Sequence, residues 1–226
     1  MPPSDEKNQK SAAGWKKTIM TTRYRITFEK NEEMKYTGHL DLYKSWIRIF
    51  RRAHIALEHS QGFHPQPKIQ LAAALPLGFM SSFEQMDVWS LEGMDIPTLQ
   101  NKMEKALPPG IKILSICEIL NPEKPLQVQL EAAEYDAVFQ DPIDAAVLQD
   151  SIKTLLSAST LPRIRKERNY DLRPLVEALE WRTAPVEHLY MRLKAKESRT
   201  GRPEEVLLQM GLDPLSVVIR RTNLIY

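Results

Sequence analysis

The sequence predicts a mixed α+β protein made of two tandem units, each an antiparallel sheet with helices on one face. Two observations predict it. Several short segments alternate apolar and polar residues at the period of a strand, while others repeat apolar residues at three- and four-residue spacing. The resulting order of strands and helices then runs twice along a chain of 226 residues, long enough to bury two small cores without cross-links.

Residues 1–20 are polar, contain Pro2, Pro3 and Gly14, show no period, and are expected to form a disordered leader. Tyr24, Ile26 and Phe28 alternate with Arg25 and Thr27 as a first strand. Thr37 and Gly38 precede a helix whose Leu40, Tyr43, Ile47 and Phe50 are spaced to face inward, with Lys44, Arg48, Arg51 and Arg52 on its other side. Ile55 to Glu58 reads as a strand, His59 to Pro67 as a punctuated loop, and Ile69 to Ala74 as an apolar strand. Phe83 to Leu91 is a further strand, Pro97 to Leu107 a helix opened by proline, and Ile111 to Leu120 a long apolar strand. This order matches a ferredoxin-like split βαβ sandwich, in which two helices cover one sheet face and leave the other open. The first such domain is placed at residues 21–121.

Asn121 to Pro125, with two prolines, reads as the junction, and a second ferredoxin-like domain is placed at 126–226. Val128 to Phe139 alternates, and Pro142 to Ser157 is helical with Ile143, Val147, Ile152 and Leu155 or Leu156 inward. Leu161 to Arg168, Leu175 to Trp181 and Leu189 to Ala195 read as strands. Pro203 opens a helix through Met210, Gly211 ends it, and Leu215 to Arg220 is the last strand. The two halves repeat an architecture without repeating residues.

Composition narrows the function. Hydrophobic residues at 42% and charged residues at 27% are ordinary globular usage. No apolar run approaches the roughly 18 residues that cross a bilayer, and residues 1–17 lack the apolar stretch of a secretory signal, so a cytoplasmic location is expected. Cys117 is the single cysteine, which excludes an intrachain disulfide, a thiolate zinc cluster and a three-cysteine iron–sulfur site within this chain. It lies in an apolar strand and is expected to be an inert core residue. Phosphate-binding, dinucleotide-binding and serine-hydrolase motifs are missing, and no cofactor is expected.

The net charge is only +2, but it is unevenly spread. Between Lys35 and Lys68 six lysines or arginines face only Asp41 and Glu58, and four of the five histidines fall in the same stretch. The distinctive segments are Thr37-Gly38-His39-Leu40-Asp41-Leu42, Arg51-Arg52-Ala53, Ser60-Gln61-Gly62-Phe63-His64-Pro65-Gln66-Pro67-Lys68 and Leu75-Pro76-Leu77-Gly78. Together they resemble the radical-SAM-linked domain of unknown function, a family fused to, or encoded beside, cobalamin-binding-type radical SAM proteins. The resemblance is strongest from Tyr24 to Leu91 and continues more weakly through Asp171-Leu172-Arg173-Pro174. It implies a working association with a radical SAM protein and no settled activity.

The residues themselves suggest where such a protein would bind. Gly38 and His39 stand at a helix start, where free N–H groups favour phosphate; the ordinary alternative is that Asp41 caps the helix and His39 packs beside it. Lys44, Arg48, Arg51 and Arg52 share a helix face that suits successive phosphates, with Trp46 or Tyr43 offered for stacking, although such faces are commonly just solvated. The loop carrying His59, Gln61, Phe63 and His64, with Lys68 after it, is built either to present side chains or only to fix strand geometry. His39, Asp41, His59 and His64 match no standard metal spacing, so no metal is expected; His39, Asp41 and His64 are the candidates should there be catalysis. Arg163, Arg165 and Arg168, on or beside a strand, and Arg192, Lys194 and Lys196 would extend a basic groove, unless Glu167, Glu177, Glu180 and Glu187 pair with them. Asp171-Leu172-Arg173-Pro174 reads as a turn with a structural ion pair.

Three functions compete. The first is a non-catalytic accessory module that recognises RNA, tRNA or rRNA, or a substrate protein for a radical SAM partner, with no membrane contact and no DNA. The second is a metal-independent endoribonuclease using a histidine near the first helix, an analogy of fold alone. The third is an adaptor docking through an apolar sheet face without RNA.

Overall fold

The structure, a computed structural model, describes residues 21–120, 123–165, 167–196 and 199–226. The expected leader therefore lies outside the described residues.

The N-terminal half runs β1 (Thr22–Lys30), α1 (His39–Arg52), β2 (Ile69–Leu71), β3 (Met80–Ser90), α2 (Ile96–Glu104) and β4 (Ile111–Glu118). A four-residue helix α3 (Leu126–Gln129) leads into β5 (Ala132–Phe139), α4 (Ala145–Ser157), the hairpin β6 (Pro162–Arg165) and β7 (Arg168–Asp171), β8 (Val176–Arg182), β9 (His188–Lys196), β10 (Arg199–Thr200), α5 (Pro203–Gln209) and β11 (Val217–Ile225). Asp95 and Asp144 cap α2 and α4 by accepting from backbone N–H groups one turn on.

The expected alternation of elements is present, but the two sheets are one. Nine strands form a mixed sheet in which β3 pairs with β1 on one edge and with both β2 and β11 on the other. Strand β2 runs antiparallel along Met86–Val88, while β11 runs parallel at Met80 and Ser81. The path β4-β1-β3-β2 in the first half and β11-β5-β9-β8 in the second is antiparallel throughout. The parallel pairing, only Arg220↔Met80 and Arg221↔Ser81, fuses them.

Helices α1 and α2 bury Leu42, Trp46, Ile49, Phe50, Leu99 and Met103 against Tyr24, Ile26, Phe28, Met86 and Val88. The buried stripe of α1 is thus rotated from the expected one. Leu40 is exposed, while Trp46 is wholly buried, edge-on to Phe28 at 4.8 Å between ring centres. The largest apolar surface in the helix decides which face turns inward. Trp46 is therefore not a stacking surface.

A second core lies around β5, β9, α4 and α5, and Ala72, Leu75 and Phe79 of the first half belong to it. The opposite sheet face is polar. Asp87 takes Arg23 and Arg25, Tyr190 donates to Glu134 at 2.6 Å, and Arg192 pairs with Glu177 at 3.0 Å.

Cys117 is exposed. A bulge where Thr27↔Ser115 gives way to Phe28↔Ile113 changes the phase of β4, so that Ile113 and Ile116 turn inward and Cys117 outward.

Candidate nucleic-acid interface

Segment 161–168 is not one strand but the first arm of a hairpin, with Glu167 in the left-handed region at its turn. The register Arg163↔Tyr170 and Arg165↔Arg168 puts these four side chains on one hairpin face, because side chains alternate along each strand. Ile164, on the other face, is exposed.

Asp171 and Arg173 fix the hairpin to the body. Asp171 accepts from the Leu161 and Arg173 N–H groups at 2.7 and 3.0 Å, and Arg173 donates to the Leu156 and Val176 carbonyls. The expected ion pair between them is replaced by bonds from each to the backbone, which fills the hydrogen-bonding capacity of buried peptide groups.

Between this hairpin and the chain from β10 to Arg202 lies a hollow of about 870 Å³. Its walls carry Arg165, Arg168, Lys194, Arg199 and Arg202, with Tyr170, Pro174 and Leu175 between them. Among the described residues none of these five cations forms an ion pair, although Arg163 beside them holds Glu205 at 2.8 Å. Among the described residues Asp171 is the one carboxylate lining the hollow, and its Oδ1 already serves two N–H groups. Glu204 lies in the field of Arg165, yet burial keeps its carboxyl above the ordinary range. Unopposed cations around a low-dielectric concavity concentrate positive potential and attract anions.

Gly201 makes this geometry attainable. A Cβ there would lie 2.9 Å from the Leu175 carbonyl oxygen and 3.0 Å from the Leu193 Cβ, so only glycine lets the turn approach.

The N-terminal candidates do not converge on a comparable hollow. His39 is half-buried at the start of α1; its Nδ1 is buried without a hydrogen-bond partner among the described residues, and burial lowers its pKa, with the Glu84 and Arg221 charges acting in opposite directions. Gly38 caps this helix without a side chain, and Asp41 is exposed, 3.6 Å from Lys44. Arg52 donates to the Ala106 carbonyl, leaving Arg48 and Arg51 as the cations of this face without a side-chain bond among the described residues.

The loop after α1 is a closed excursion. Ser60 N–H donates to Gln66 O at 2.8 Å, and Tyr43 donates to Pro67 O at 2.9 Å, so its base is pinned on the helix. Gln61, Phe63 and His64 stand exposed at its tip, and the ring of His59 turns back to the Leu57 carbonyl. Lys68 is held by Glu58 at 3.3 Å and lies over the Trp89 ring. His39 and His64 thus have different surroundings, one packed at the seam and one in solvent. Among the described residues no three His, Cys, Asp or Glu side chains are grouped as a metal would require.

Of the sequence candidates, Arg165, Arg168 and Lys194 line the hollow, Arg163 is taken by Glu205, Arg192 by Glu177 and Lys196 by Glu131, and Lys166 lies outside the described residues. Sequence reasoning misses Arg199 and Arg202. Their signal is Arg199-Thr200-Gly201-Arg202-Pro203, two arginines around a glycine before a proline-opened helix.

The structure is thus a large mixed sheet with helices that carries this basic hollow in its C-terminal half. Residues 23–203 match the family described as "Uncharacterized protein conserved in bacteria (DUF2344)". The chain belongs to this family. A comparison with curated proteins gives no match. Solved structures similar to it include a Cbf5-Nop10-Gar1 complex, at 10% identity and a TM-score of 0.47 over 89% of this chain and 48% of that one. This chain therefore spans about half the length of that chain. An unknown protein from Galdieria sulphuraria is 14% identical with a TM-score of 0.29, covering 91% and 98% of the two chains. The acetolactate synthase small subunit from Thermotoga maritima is 12% identical with a TM-score of 0.26, covering 92% and 96%. Among the described residues no helix is long and apolar enough to cross a membrane.

Proposed function

We propose that this protein is a non-catalytic RNA-binding accessory module whose contact is the basic hollow of its C-terminal half. The observation that carries this is the set of five cations that form no ion pair among the described residues around one concavity, on a surface where Arg163, Arg182 and Arg192 are all matched by carboxylates. Leaving five like charges together costs stability unless an anion joins them, and a phosphate chain supplies several anions at fixed spacing. Each half is a ferredoxin-like unit, a reading supported by the repeated antiparallel path and by two main helices per half. The partner is a radical SAM protein, for which the support is the likeness of the segments around His39, Arg51 and His64.

The test is RNA binding by the full chain at graded salt. Arg165→Ala with Arg168→Ala should weaken binding at least about tenfold and flatten the slope of log K against log salt by about 0.7 for each phosphate no longer neutralised. Arg48→Ala with Arg51→Ala and Arg52→Ala should change it less than about threefold. The reverse result would move the RNA surface to α1, and no RNA binding at low salt would end the proposal. Tagged chain purified from its own cells should carry a radical SAM protein; repeated purification without one removes that partner.

A further inference from the structure

Resting on the reading of the hollow as an RNA contact, we infer that it seats an unpaired nucleotide, so that the RNA held here is single-stranded. Tyr170 would stack on one base while the surrounding cations take the flanking phosphates.

Shape is the first argument. The hollow, about 870 Å³, is walled by Arg165, Arg168 and Tyr170 of the β6–β7 hairpin on one side, by Arg199, Thr200 and Arg202 on another, and by Pro174 and Leu175 between them. That volume lies within the roughly 300–1,000 Å³ of sites that engulf a small ligand. One or two nucleotides fit such a space. A duplex is a convex rod with its bases stacked inside and its phosphates outside, so it meets a hollow only at the rim.

Lining chemistry is the second. Cations alone would serve single and double strands alike. Pro174 and Leu175 have nothing to offer a phosphate, and the Tyr170 ring flanked by their aliphatic surface matches the face of an unstacked base.

Placement of the ring is the third. Tyr170 sits opposite Arg163 in the hairpin register, on the same face as Arg165 and Arg168. Burial raises the pKa of its hydroxyl, with the neighbouring Glu205 charge adding to this and Arg163 opposing it. The aromatic residues of α1 that the sequence offered for stacking are spent elsewhere, Trp46 being wholly buried and Tyr43 donating to Pro67, while Phe63 stands exposed on the separate loop after α1.

Three probes decide it with the full chain: a fluorescein-labelled oligouridylate of about twelve nucleotides, a duplex RNA of equal length, and heparin. The expected result is tighter binding of the oligouridylate than of the duplex by about tenfold or more. Tyr170→Ala should weaken the oligouridylate by roughly 5- to 100-fold and leave heparin within about twofold, whereas Tyr170→Phe should keep single-strand affinity. Should Tyr170→Ala fail to fold, photo-crosslinking of 4-thiouridine RNA to the unaltered chain replaces it, and the adduct should fall on the Tyr170 peptide. Equal affinity for duplex and single strand, an indifferent Tyr170→Ala, or adducts confined to other peptides would overturn the inference while leaving RNA binding intact. Failure of all three probes would instead bring down the proposed function itself.

Discussion

Glu84 and Arg221 face each other where β3 meets β11, each side chain about 1% exposed. Arg221 Nε donates to Glu84 Oε1 at 2.7 Å and Nη1 to the Ala74 carbonyl at 3.2 Å; burial opposes its charge, but Glu84 and Tyr135 outweigh that and raise its pKa. Removing one partner strands the other charge in the interior. Glu84→Gln should therefore lower stability by about 3–5 kcal/mol in urea unfolding. Lys30 is buried beside this pair, donating to Phe79 O at 2.8 Å and Lys35 O at 3.2 Å, and burial lowers its pKa to about 8. The folded protein releases this proton at lower pH than the unfolded chain does, so stability should rise from about pH 8 towards the ordinary lysine value of 10.5. Below pH 8 the full burial penalty applies. Lys30→Met should lack that rise, which urea unfolding at pH 7, 8, 9 and 10 would show. None of this is legible in the sequence. Glu84 and Arg221 are 137 residues apart, and a local pattern reads any charge as surface because it does not encode the distant partner.

Within elements, the sequence is most legible where burial is one-sided. β1, β3, β8 and β9 fall on the alternating segments, and the proline-opened α2 and α5 lie where their signals are. The hairpin β6–β7 reads as one strand because the sequence between Arg165 and Arg168 has none of the glycine, proline or asparagine that ordinarily mark a turn. Half of the basic hollow is hidden with it, since the facing of Arg165 and Arg168 follows only from the hairpin register. The inward face of α1 differs from expectation because two apolar stripes compete on it, and only the packing of Trp46 chooses between them. Two outcomes test this level. Gly201→Ala must push Leu175 or Leu193 aside, so it should cost about 1–3 kcal/mol and weaken RNA binding together. Cys117 should be alkylated by maleimide in the native protein at a rate close to that in urea, because the bulge in β4 turns it to solvent.

The fused sheet governs the behaviour of the whole molecule. An order of elements that runs twice suggests two units that fold alone, yet the backbone pairing between them is only the two-residue ladder of Met80 and Ser81 with Arg220 and Arg221. So small a ladder would not couple two units by itself. The side chains do. Ala72, Leu75 and Phe79 belong to the C-terminal core, Ser81 donates to the Arg221 carbonyl at 3.1 Å, and Lys30 holds the Phe79 carbonyl from the first sheet. If either half unfolded alone, the other would expose apolar surface and one member of the Glu84–Arg221 pair, each at a cost of several kcal/mol. The halves should therefore unfold in one step. Hydrogen exchange read peptide by peptide along a urea series should give the same midpoint for α1 and α4, and Glu84→Gln should move both together. Two separated midpoints, or a stable folded fragment of residues 126–226, would mean that the seam contributes little. In that case the hollow would belong to an autonomous C-terminal domain, which should then bind RNA as tightly as the full chain.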